Sequence, residues 1–262
     1  MPCSRKAWPR KFGLLLFLIG NALIAQRVVS ARAGLITYLQ GPAFVDGKRV
    51  VLKSTRFPQM KDGETLSTGR GRAELLLAPG VVLRLSENSR LQMDDTQLVK
   101  TRVTLLQGDA LIEILQLPEG NRIQVALAET TTELSRPGLY RLGKIQNGTA
   151  SNILRVYGGE ALARSGPKMA VAKRGMAVKL DPDLTVGKFD RKQTDSLHAW
   201  SARRSFDLFM SDADARQKQT HWQSAGAGYL ENKNFGVEFR AFIRRGLPPS
   251  AIRSPVPPAE SR

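Results

Sequence analysis

Between residues 34 and 180 the chain is a succession of short β-type segments, each cut off by a glycine or proline turn. Val81, Leu83 and Leu85 alternate with Val82, Arg84 and Ser86, the period-2 pattern of a strand with one face inward. Ala78-Pro79-Gly80 interrupts the run before it, so AELLLAPGVVLRL reads as a hairpin. GLITYLQGPAFV reads as two strands broken at Gly41-Pro42. Val103 to Leu106 makes another strand, ending at Gln107-Gly108-Asp109. ALIEILQL follows and is apolar on both faces, as expected of a strand buried on two sides. Ile123, Val125 and Leu127 alternate with Gln124, Ala126 and Ala128, and the segments LYRL, ILRVY, EALA, MAVA and MAVKL continue the series. About ten short strands with turn signals every 8–15 residues predict an all-β fold, an antiparallel β-sandwich or β-roll. A β-helix-like fold is the alternative, although no fixed-length repeat is visible.

The character changes after residue 190. Asp195 or Ser196 suits a helix start, and Leu197, Trp200, Phe206, Leu208 and Phe209 supply a loose apolar face. One C-terminal helical segment is expected over 190–218, docked on the β domain or covering a sheet edge. Residues 219–262 form an aromatic and basic tail. It ends in LPPSAIRSPVPPAESR, whose five prolines predict disorder.

The start reads as a targeting segment. Arg5, Lys6, Arg10 and Lys11 precede the apolar run FGLLLFLIGNALIA at 12–25. Fourteen helical residues span about 21 Å, short of a hydrocarbon core of about 30 Å. A secretory signal peptide over 1–33 is therefore expected, with a β domain over 34–185 and a periplasmic or secreted location. Ala25, Ala31 and Ala33 are all plausible cleavage positions. Cys3, the one cysteine, precedes the apolar run, so a processed chain has no disulfide framework and no cysteine–metal site. A membrane association is expected only if this segment stays uncleaved. The net charge of +17 falls to +11 over residues 34–262, with 34 basic and 23 acidic side chains. They are scattered rather than clustered, which predicts a solvated surface with no specific nucleic-acid site.

The run DGETLSTGRGRAELLLAPGVVLRLSENSRLQM, residues 62–93, resembles the core of the FecR-domain family. The resemblance rests on the turn Gly63, Leu66, Thr68, Gly69, on the strand Ala73, Glu74, Leu75, Leu77, on the hairpin Pro79-Gly80, and on Leu105, Leu106 and Gly108. RPGLYRL, LRVYGGEALA and VAKRGMAVKL are similar to the family's later strands. The resemblance implies a periplasmic domain used in signal transduction, of the kind found in regulators of alternative sigma factors. Eleven residues ahead of the apolar run are too few for a sigma-binding region, so a free exported module is the expectation.

Chemistry of other kinds finds little support. His198 and His221 are 23 residues apart with no metal-ligand spacing, and His198 is expected on the helix surface. Ser165-Gly-Pro-Lys168 has the Ser-x-x-Lys spacing, but Gly166 and Pro167 suit a turn, not the first turn of a catalytic helix. Gly69-Arg70-Gly71, Asp94-Asp95, Asp181-Pro-Asp183 and Asn147-Gly-Thr149 read as turns. No cofactor, metal or catalytic residue is nominated.

Trp200 and Phe206 read as helix packing residues. In the tail, Trp222, Tyr229, Phe235 and Phe242 interleave with Arg240, Arg244 and Arg245 and form the candidate partner surface. The leading expectation is a non-enzymatic exported module that binds an envelope protein or an anionic polysaccharide. A membrane-anchored signalling component of a sigma-factor and transporter system is the alternative. A wall or carbohydrate-active hydrolase would need a carboxylate pair that the sequence does not offer.

Overall fold

The structure, a computed structural model, describes residues 32–52, 57–145 and 151–208. Its seventeen strands, numbered along the chain, form two sheets. The eight-stranded sheet runs in the order β1 (Leu35–Gln40), β5 (Arg72–Ala78), β6 (Val81–Leu85), β9 (Asp109–Ile114), β12 (Gly138–Ile145), β13 (Ser151–Val156), β16 (Met176–Lys179), β17 (Val186–Lys188). The nine-stranded sheet runs β15 (Lys168–Lys173), β14 (Glu160–Ser165), β11 (Thr130–Leu134), β10 (Arg122–Leu127), β8 (Lys100–Gln107), β7 (Arg90–Asp95), β4 (Thr65–Thr68), β2 (Ala43–Val45), β3 (Lys48–Arg49). Neighbours are antiparallel except β8 and β10, which run parallel with Val103 opposite Val125.

The inward faces of the two sheets meet in one core. Leu75, Leu83, Ile112, Leu142 and Leu154 of the first sheet pack with Leu66, Leu91, Val103, Val125 and Ala163 of the second. The expected sandwich is what forms, but with more strands than the ten expected. β3, β4, β7, β11 and β17 escaped notice because KR, TLST, RLQMDD, TTTEL and VGK carry little apolar signal. Pairing with neighbours holds such segments, helped by an inward face in β4, β7 and β11 but not in the exposed β3 and β17. Asp94 and Asp95 accordingly lie in β7, not in a turn.

The glycine turns do two jobs. Some close hairpins within a sheet, as Pro79-Gly80 does between β5 and β6. Others carry the chain from one sheet to the other: Gly41-Pro42 between β1 and β2, and Gly108 between β8 and β9. Gly108 has φ +82°, and a Cβ there would lie 2.0 Å from Ser89 Oγ, so only glycine fits. At the crossover from β13 to β14 the buried Tyr140 hydroxyl donates to the Arg136 carbonyl (2.7 Å) and accepts the Glu160 N–H (3.2 Å). Burial pushes this phenol up to about 12.

A helix, α1, covers residues 196–208. Asp195 caps it: its carboxylate accepts the His198 N–H (3.0 Å), and its carbonyl accepts the Ala199 N–H (2.9 Å). Leu197 and Trp200 pack on Leu111, Leu139 and Tyr157 of the outer face of the eight-stranded sheet. The helix therefore sits on a sheet face, not an edge. Three expectations are corrected by this. β6 is buried along its whole length, where one-sided burial was expected, because α1 covers its other side. His198 is buried against Tyr157 instead of lying on the helix surface. Phe206, expected to pack, is 41% exposed, because it falls on the solvent side of α1.

Candidate functional site: two unlike outer faces

Each sheet of the sandwich has an outer face, and the two are built differently. On the eight-stranded sheet, β5 and β6 place Glu74 directly opposite Arg84, and β9 adds Glu113. All three are buried, Arg84 completely. The Arg84 guanidinium donates to Glu74 (2.9 Å), to Glu113 (2.7 Å) and to Ser201 Oγ of α1 (2.8 Å). From the helix, Arg204 donates to Glu74 (3.0 Å), and Ser205 Oγ donates to Glu113. Two guanidiniums and two carboxylates thus balance each other, with Arg84, Glu74 and Glu113 buried and Arg204 largely so. Geometry of this quality is what a buried ion pair needs to offset desolvation.

Around this centre the contacts are aromatic and cationic. Arg204 lies over the Tyr38 ring, 3.9 Å from its centroid, and Arg72 lies 5.6 Å from that of Trp200. Arg72 also donates to the carbonyl (3.2 Å) and hydroxyl (3.0 Å) of Ser196. At the helix start Arg141 pairs with Asp195 and, at 3.7 Å, with Asp109. Burial opposes the Arg141 charge, but Asp195 and Asp109 outweigh it and hold the guanidinium above its ordinary value. Burial likewise raises Asp109 more than Arg141 lowers it. Asp195 works the other way: burial opposes its charge, but the His198 N–H and Arg141 hold it low. His198 is held below its ordinary value, first by burial.

The outer face of the nine-stranded sheet bears no such cover among the described residues. Cross-strand register lines up Thr104, Ala126, Thr131 and Arg164 from β8, β10, β11 and β14 in one row. Arg102 and Gln124 form the next row and bond each other (3.2 Å). Asp94 accepts from Thr104 at 2.7 Å. The small Ala126 and the short threonines leave a hollow of about 580 Å³, walled by Arg102 and Gln124 on one side and by the turn residues Glu129 and Gly166 on the other. Its lining mixes two carboxylates, two guanidiniums, two hydroxyls and an amide.

The residues singled out by sequence fall into three groups. Trp222, Tyr229, Phe235, Arg240, Phe242, Arg244 and Arg245 lie outside the described residues, as does Asn147. Gly63, Leu66, Thr68, Gly69, Pro79, Gly80 and Gly108 lie in turns and core strands. Gly63 has φ +84° and Gly80 φ +78°, and Leu66 is fully buried. The Thr68 hydroxyl donates to the Ser86 carbonyl (2.6 Å) and accepts the Ser89 N–H (3.0 Å), fastening one sheet crossover. Glu74 alone of the set belongs to the ion network. Arg84, Glu113 and Arg204 were not nominated, although a signal existed. Glu113 lies within ALIEILQL, apolar on both faces, where a charge needs a buried partner. Ser165 and Lys168 face each other across the β14–β15 hairpin, as the turn reading requires. Asp181 forms the expected turn by accepting the N–H groups of Asp183 (3.1 Å) and Leu184 (2.9 Å).

Among the described residues no group of three or more His, Cys, Asp or Glu side chains is placed to hold a metal ion. Likewise none of the described helices is long and apolar enough to cross a membrane.

A comparison with curated proteins returns no match. Among solved structures, two crystal structures of a candidate anti-sigma factor from Parabacteroides distasonis, at 1.65 and 2.50 Å resolution, are similar at 11% and 12% identity, each with a TM-score of 0.39. Each match takes in 53% of this chain, and 63% and 62% of the respective neighbours. Residues 64–162, from the start of β4 into β14, match the family described as FecR protein, so this stretch of the chain is similar to a FecR domain.

Proposed function

We propose that this chain is a non-enzymatic module of the cell envelope, of the signalling kind its similarity to a FecR domain implies, and that it recognises a hydroxyl-rich envelope polysaccharide on the outer face of the nine-stranded sheet. The observation that carries this reading is the hollow lined by Asp94, Arg102, Thr104, Gln124, Glu129, Thr131 and Arg164. Donors and acceptors are both present there, carried by strands about 4.8 Å apart. A sugar hydroxyl both donates and accepts, so it can satisfy such a lining. The two carboxylates disfavour a dense polyanion, and the polar floor disfavours an apolar ligand. A rigid sheet surface loses little entropy on binding.

The test is a binding screen of the full chain against purified envelope polysaccharides, read by calorimetry. Binding of one polymer class is expected, with loss of at least tenfold in affinity for Arg164→Ala and Thr131→Ala and no change in melting temperature. Failure of every polysaccharide to bind, with capture of a protein whose affinity these substitutions leave unchanged, would remove the hollow from the function.

A further inference from the structure

The contact between α1 and the eight-stranded sheet is not built like the sandwich core. The sheet by itself holds Glu74 and Glu113 against one buried guanidinium, Arg84. The balancing cation, Arg204, comes from the helix. Unpartnered polar atoms collect here too. Of nine buried side-chain nitrogen and oxygen atoms without a hydrogen-bond partner among the described residues, six belong to Arg72, Arg84, Arg141, Tyr157, His198 and Arg204. All six residues lie on this one contact, whereas permanent interiors leave few such atoms. The apolar part of the contact is thin, with Leu197 and Trp200 on Leu111, Leu139 and Tyr157.

We infer that the outer face of the eight-stranded sheet is a receptor for an amphipathic helix, with α1 as its resident and exchangeable occupant. The recognition pattern is read from α1: an aliphatic residue, an aromatic three positions on and an arginine four further, as in Leu197, Trp200 and Arg204. The arginine enters the Glu74–Arg84–Glu113 cluster and stacks on Tyr38, while the aromatic packs beside Tyr38 and Arg72. α1 leaves and returns as one unit because the ion network loses its charge balance once Arg204 withdraws. Polysaccharide binding on the opposite face is independent of this exchange, so either can fail without the other.

The experiment uses a fluorescent peptide of residues 195–208, titrated onto the full chain and onto full-chain Arg204→Ala. The peptide is expected to bind Arg204→Ala at least tenfold more tightly than the wild type, whose own helix competes. A peptide carrying Arg204→Ala is expected to bind neither. Equal affinity for both chains, or binding of the altered peptide, overturns the inference. Hydrogen exchange on the wild-type chain gives a reading that needs no variant. Amides of α1 should exchange at least tenfold faster than those of β6 and β9, and exchange at one common rate overturns the inference even if Arg204→Ala does not fold.

Discussion

The two outer faces of this sandwich obey the same pleat and yet solve opposite problems. On the nine-stranded sheet, β10 alternates buried Ile123, Val125 and Leu127 with the more exposed Arg122, Gln124 and Ala126. On the eight-stranded sheet, β6 buries all five of its residues, Arg84 among them. The difference comes from what lies above each sheet. A face left to water keeps polar groups that water can satisfy. A face covered by a helix brings its charges together as a set, with Glu74 and Glu113 set against Arg84 and Arg204. The lesson is that the cover, not the residue type, decides: Arg84 is buried beneath α1, while Arg122 at an outward position of β10 stays in water.

The comparison breaks most visibly at Arg84. Arg84→Met leaves Glu74 and Glu113 buried without their common partner and is expected to destabilise the chain by about 3–5 kcal/mol in urea unfolding. Wild-type stability in that variant would mean that the covered face does not depend on its charges. Next comes the crossover that joins the two sheets. Gly108→Ala forces a residue into φ +82° against Ser89 and should cost about 1–3 kcal/mol, measured by thermal melting. A neutral outcome would show that the crossover can shift without disturbing either face.

Acid should act on the covered face first. His198 is held below its ordinary value of 6.5 by burial, with Asp195 and Glu113 opposing that shift and Arg141 adding to it. The undocked histidine binds a proton more readily than the docked one, so its contribution is complete above pH 6.5 and is lost as pH falls towards the docked value. Asp195, also held low, loses its contribution as pH falls below 3.8. Asp109 opposes this: its raised value means that its cost fades as the carboxyl protonates. The protection of α1 amides, corrected for the intrinsic slowing of exchange in acid, should therefore fall as the pH drops below 6.5, while that of β10 and β11 stays level. His198→Gln should abolish the difference. The smallest effect belongs to the bare face, where Gln124→Ala is expected to change stability by no more than about 0.5 kcal/mol. A larger loss in chemical unfolding would mean that this face carries structure and not only a ligand.

Much of the β architecture was legible because alternation and turn chemistry are local. The hairpin AELLLAPGVVLRL, the doubly buried ALIEILQL and the break at Gly41-Pro42 appear as the pattern implies. The polar strands TLST, RLQMDD and TTTEL were not legible, because neighbours hold them through pairing that no local window contains. The cap at Asp195 was visible in sequence, but the partners of the helix were not. Glu74 and Arg204 are separated by 130 residues, and only the docked fold brings them together.

The sequence by itself determined the strongly alternating strands, the turns that end them and the resemblance to the FecR family, since each depends on residues a few positions apart. The tertiary structure decided which turns close hairpins and which cross between sheets. It also decided which outer face is covered, and that Arg84 lies buried between two carboxylates. Those outcomes depend on contacts between distant segments, and burial turns a charge that reads as surface into the centre of a packed interface.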